Sequence, residues 1–92
     1  MPSPTLAEMR RQLDAIDAEC VKLLSRRLEI ARQIGVHKRM HGMAPLDARR
    51  EAQVVNAAAQ RARDAALPEE EVRQIFWQVL AMSRRAQQEE TL

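Results

Sequence analysis

Ninety-two residues leave room for one hydrophobic core and exclude a second domain. At 46% hydrophobic and 30% charged, the composition is that of a folded domain and not of a disordered chain. The net charge of +2 is spread over lysines and arginines interleaved with Asp and Glu, without a cationic block or a pair of stacking aromatics, which argues against nucleic acid as a partner.

Two glycines and few β-branched residues argue against a sheet, and Phe76 and Trp77 are the only aromatics, so the core is expected to be aliphatic and all-α. Cys20 stands alone, which excludes an intrachain disulfide and suits a small core residue. The start Met1-Pro-Ser-Pro has neither a basic stretch nor an apolar run, and no segment reaches the ~20 apolar residues of a membrane span. A cytoplasmic protein without a membrane partner is the expectation.

Pro45 and Pro68 divide the chain into three helical stretches of a single domain over 1–92, with 1–4 and 89–92 frayed. The first helix is expected from about Thr5 to about Met40. Thr5 is a good N-cap and Glu8, three residues on, completes a capping box. Leu6, Met9, Leu13, Ile16, Cys20, Leu23, Ile30 and Ile34 recur at steps of three and four, which is a helical seam. Gly35 interrupts this helix at about 1 kcal/mol relative to alanine, and Gly42 with Pro45 ends it. At ~1.5 Å per residue the helix is a rod of about 50 Å, too long for two short neighbours to cover. An intertwined homodimer with antiparallel long helices follows.

The second helix follows Pro45 and runs to about Ala65, with Leu46, Val54, Ala58, Ala62 and Ala65 on its apolar side. Arg50, four residues before Val54, falls on that side too. The third opens at Pro68 with Glu69, Glu70 and Glu71 at the positive end of its dipole. Its apolar face is Val72, Ile75, Phe76, Val79 and Leu80, and Ser83 and Gln87 extend it at +4 and +8 from Val79.

Each helix therefore turns polar groups toward its buried side. Arg27 fills the slot in the seam between Leu23 and Ile30, Lys38 follows Ile34 by one turn, and Arg50, Ser83 and Gln87 lie on the other two helices. An arginine does not shed its proton, and an unpaired buried cation is costly. For a single residue, snorkelling or pairing with an acid is the ordinary explanation. For residues on three helices, a shared pocket for a small anion with several charges explains more, because guanidinium forks suit carboxylates.

The ordered set Leu-Ala-Glu-Met-Arg10-Arg-Gln-Leu-Asp-Ala-Ile-Asp17, Leu-Leu-Ser-Arg-Arg27, Ile-Gly-Val-His-Lys38, Asp47-Ala-Arg-Arg50-Glu51 and Ser83-Arg-Arg-Ala-Gln87 resembles the all-helical chorismate mutases, from about Leu6 to Gln88. No single piece is distinctive; the order and spacing are. The resemblance implies three helices per chain in an intertwined dimer, rearrangement of chorismate to prephenate in aromatic amino acid biosynthesis, and neither cofactor nor metal. It implies that Arg27 grips one substrate carboxylate and that Arg10 reaches another from the partner chain. It gives Lys38 and Gln87 the ether oxygen of the breaking bond, Asp47 and Glu51 the ring hydroxyl, and Arg50 and Ser83 the remaining polar contacts.

Plainer roles stand beside these: a surface pair with Asp14 for Arg10, an N-cap for Asp47, a solvated position for Glu51. At Arg84 the family more often carries an apolar residue, so this side chain either modifies the pocket or points outwards. His37 and His41 share a helix face, with no third metal ligand evident nearby. The related isochorismate pyruvate-lyases share the arginine clamps and the loop lysine but tend to lack the acid and serine matching Glu51 and Ser83, so the resemblance favours a mutase. A mutase of 4-amino-4-deoxychorismate stays open, since two acids face an ammonium as readily as a hydroxyl. A helical dimerisation module has no reason to place Arg27, Arg50 and Gln87 on apolar faces.

Overall fold

The computed structural model describes residues 2–89, so the fraying expected for Met1 and 90–92 lies outside the described residues. Three helices follow in order: α1 over Leu6–Met40, α2 over Ala48–Asp64 and α3 over Glu69–Gln87, with no strand among the described residues. The capping box forms as expected. The Thr5 hydroxyl accepts from the Glu8 amide at 3.1 Å, and the Glu8 carboxylate accepts from the Thr5 amide at 3.0 Å.

Gly42 stops α1 in the left-handed region, at φ 60°, while its amide and that of Met43 bond back to Arg39 and Lys38. The same closure ends α2 one residue earlier than expected, with Ala66 in the left-handed position at φ 57°. Pro68 sits at the N-cap of α3 and not at its first helical position, and Glu69, Glu70 and Glu71 fill the first turn. Glu89, expected to fray, pairs with Arg32 at 2.6 Å.

Helix α3 packs against both others and joins them. The core is made of small side chains: Ala31 and Gly35 of α1, Val55, Ala58, Ala59 and Ala62 of α2, and Leu80, Ser83 and Ala86 of α3. Alanines let helices approach closely, and Gly35 takes this further. A Cβ built there would lie 2.1 Å from the backbone oxygen of Gln87, so the end of α3 rests directly on the α1 backbone.

The expected apolar faces need correction at their ends. Leu46, Ala65 and Ile75 are exposed, while Val55 and Ala59, absent from the expected face, are buried. Two helices alone define the core around α2, so its buried stripe follows α3 and rotates onto Val55 and Ala59. Cys20 is exposed as well, in place of the expected core position.

Every residue of α1 from Leu6 to Leu23 is exposed. This leaves about 27 Å of helix projecting beyond its neighbours. The radius of gyration is 17.1 Å, against about 12 Å for a compact chain of this length. No helix among the described residues is long and apolar enough to cross a membrane.

Candidate functional site

A cavity of about 430 Å³ opens where the C-terminal half of α1, the start of α2 and the end of α3 converge. That is the size of a small-molecule site. Arg27, Ile34 and Lys38 line it from α1, Asp47, Arg50, Glu51 and Val54 from the start of α2, and Leu80, Ser83, Arg84 and Gln87 from α3. Seven of the eight residues singled out in the sequence thus meet in one place. The eighth, Arg10, is exposed on the projecting half of α1 and lies outside this chain's cavity.

The helices fix most of these side chains through the partners they supply. Arg27 donates to the Ser83 hydroxyl, which donates in turn to the Val79 carbonyl at 3.0 Å. Burial and the neighbouring Arg50 both hold the Arg27 guanidinium below its ordinary pKa. Two cations, Arg27 and Arg50, thus face one cavity. Lys38 Nζ donates to the Pro45 carbonyl and to Gln87 Oε1, each at 2.9 Å. Because the amide oxygen of Gln87 is taken, its NH₂ group is the end left to donate.

Asp47 is the N-cap of α2 and accepts the Arg50 amide at 3.0 Å, so the capping reading holds while the same residue also lines the cavity. Glu51, only 16% exposed, is not the solvated residue of the plain reading: it pairs with Arg84 Nε at 3.0 Å. Arg84 therefore turns into the cavity wall, settling the alternative left open by the sequence. His37 and His41 stack at 4.1 Å between ring centroids, and among the described residues no group of three or more metal-ligating side chains forms.

The end of α3 is held by residues that sequence reasoning passed over. Arg39 donates to the backbone oxygens of Gln87 at 2.7 Å and Glu89 at 3.3 Å, and so satisfies carbonyls that a helix end leaves without intrahelical partners. Gly35 supplies the close approach. A glycine in mid-helix was a visible signal, but its partner 52 positions away was not.

One small cavity in a three-helix chain is thus lined by guanidiniums, a lysine and a side-chain amide. The family model for chorismate mutase type II matches residues 9–88. The chain belongs to that family. Among solved structures, a conserved hypothetical protein from Pyrococcus furiosus is similar, with 34% identity and a TM-score of 0.74. The match covers 95% of this chain and 100% of that one. No curated protein matches the chain. The family match spans Arg10, Arg27, Lys38, Arg50 and Gln87, and so includes every element that lines the cavity.

Proposed function

We propose that the protein is a chorismate mutase, converting chorismate to prephenate as part of aromatic amino acid biosynthesis, and that it works as a cytoplasmic homodimer. One observation carries the reading: Arg27 and Arg50 crowd their charges into a cavity that also holds the Lys38–Gln87 donor pair. A dicarboxylate relieves the first feature and an ether oxygen uses the second.

The rearrangement is intramolecular. The ether C–O bond breaks while a C–C bond forms between the enolpyruvyl methylene and the ring, and no proton or electron leaves the substrate. The protein has two tasks. It holds the folded conformer in which the reacting carbons approach, and it stabilises the charge that grows on the ether oxygen. Arg27 binds one carboxylate, with Ser83 keeping its guanidinium in place, and Arg50 completes the contacts on that side. Lys38 and the NH₂ of Gln87 donate to the ether oxygen. A single donor of this kind is worth about 2.7–4 kcal/mol in the transition state. Glu51 and Asp47 receive the ring hydroxyl.

Arg10 reaches the second carboxylate from the partner chain. Support for a partner lies in the uncovered half of α1, where Leu6, Leu13, Ile16 and Leu23 are all more than half exposed. The accessible surface of 7582 Å² exceeds by roughly 2,100 Å² what a compact chain of this mass presents. That excess is on the scale of an obligate interface.

Proton NMR of the protein with chorismate, and in parallel with isochorismate, tests the reading. Prephenate from chorismate is the expected product. Salicylate and pyruvate from isochorismate as the dominant outcome would make it a lyase, and silence on both would return it to a mutase of 4-amino-4-deoxychorismate or to a helical dimerisation module.

A further inference from the structure

We infer that Arg84 selects the charge of the group a ligand presents to Glu51, so that the cavity takes a hydroxylated dicarboxylate and rejects its analogue carrying an ammonium. The inference rests on the dicarboxylate reading above and adds a specificity residue to it.

Four cations line the cavity, Arg27, Lys38, Arg50 and Arg84, against two carboxylates, Asp47 and Glu51. The two carboxylates are not equivalent. Asp47 caps the α2 N-terminus through one oxygen, on the Arg50 amide. Glu51 is the one that carries a guanidinium, that of Arg84 at 3.0 Å. Arg27 and Arg50 make no ion pair among the described residues, which leaves them to the ligand's carboxylates. A donor elsewhere on the ligand then meets Glu51 with a guanidinium already on it.

For a neutral hydroxyl this is harmless. An ionised carboxylate has two oxygens and several lone pairs, so it receives Arg84 and one O–H together. For an ammonium it is costly, because a second cation enters beside Arg84 in a partly desolvated wall where like charges interact more strongly than in water. Arg84 is 44% exposed and its pair with Glu51 bridges α2 and α3 at the cavity edge, so the fold does not depend on it.

The test compares chorismate with 4-amino-4-deoxychorismate on the unmodified protein, Arg84→Met and Arg84→Lys. Two ratios are taken for each protein: kcat/KM by turnover and Kd by titration calorimetry. Arg84→Met is expected to shift both ratios about tenfold toward the amino compound, while Arg84→Lys keeps the original preference. A change in both substrates alike, with the ratio fixed, would show that Arg84 only shapes the wall and would overturn the inference while leaving the mutase reading intact. If neither compound turns over, the mutase reading fails and the calorimetric ratio decides the inference alone. Binding of neither would overturn both.

Discussion

Gly35→Ala is the substitution that separates positioning from folding in this protein. The new Cβ would lie 2.1 Å from the Gln87 oxygen, 2.7 Å from its carbonyl carbon and 2.8 Å from its Cα. All three are backbone atoms, so no side-chain rotation relieves the clash. Real contacts of this kind are essentially never under 3.0 Å, so the end of α3 must retreat by about 0.9 Å or more. That retreat acts on the Gln87 backbone and so stretches the 2.9 Å bond from Lys38 and the 2.7 Å bond from Arg39.

A misplacement near 1 Å at a reacting centre costs on the order of 100-fold in rate, about 2.7 kcal/mol. The helix itself is not harmed, since alanine is a better helix former than glycine by about 1 kcal/mol. Steady-state kinetics on chorismate with far-UV circular dichroism reads both: kcat is expected to fall about 100-fold with helicity retained. Arg39→Met releases the same carbonyl without a clash and is expected to lower kcat less, by a few-fold. Wild-type kcat in Gly35→Ala would refute the claim that the α1–α3 approach sets the place of Gln87.

Arg27→Met is expected to abolish turnover yet raise the melting temperature of the unliganded protein by a few degrees, by scanning calorimetry. The sign follows from the depressed pKa of Arg27: the folded state penalises its charge at every pH below that pKa, hence throughout the neutral range, and regains stability only as the guanidinium deprotonates in strong base. A lower melting temperature would make Arg27 a structural residue. Ala66→Gly removes a left-handed alanine and should stabilise the chain by about 0.5–1 kcal/mol in urea titrations; no change or a loss would show that Ala66 is not strained. Mixing and refolding Arg10→Ala with Lys38→Ala should recover part of the activity, because one site of the heterodimer then has both residues intact; no recovery would remove Arg10 from the partner's site. Gln87 carries no titratable proton, so kcat should stay flat between about pH 6 and 8, and a sharp fall there would count against its donor role.

Sequence reasoning reached what helical periodicity carries and missed what tertiary approach decides. Arg27 stood out because a seam of period 3.5 predicts the residue type at each slot, and a guanidinium there needs an explanation. Lys38, Arg50, Ser83 and Gln87 followed from the same test, and all five line one cavity. Arg10 did not, since on α1 alone it is an ordinary exposed residue and only the resemblance gave it a role. The Glu51–Arg84 pair was equally hidden: the two residues lie 33 positions apart, and whether Arg84 turns in or out depends on how α3 rotates against α2.

Gly35 is the sharper case. Read along the chain, it is a weak point in a long helix, a defect of about 1 kcal/mol. Read across the fold, it is the place where α3 sits against the α1 backbone, three residues before Lys38 and four before Arg39. Those three positions hold the Gln87 backbone, its carbonyl and its side chain. A helix tolerates such a glycine only if the missing side chain gains something elsewhere, and here it allows the last turn of α3 to bring an amide donor within reach of a lysine on α1. The loss in local helix propensity and the geometry of the site are therefore one feature of the chain, which is why Gly35→Ala is expected to strengthen the helix and weaken the proposed mutase activity in a single step.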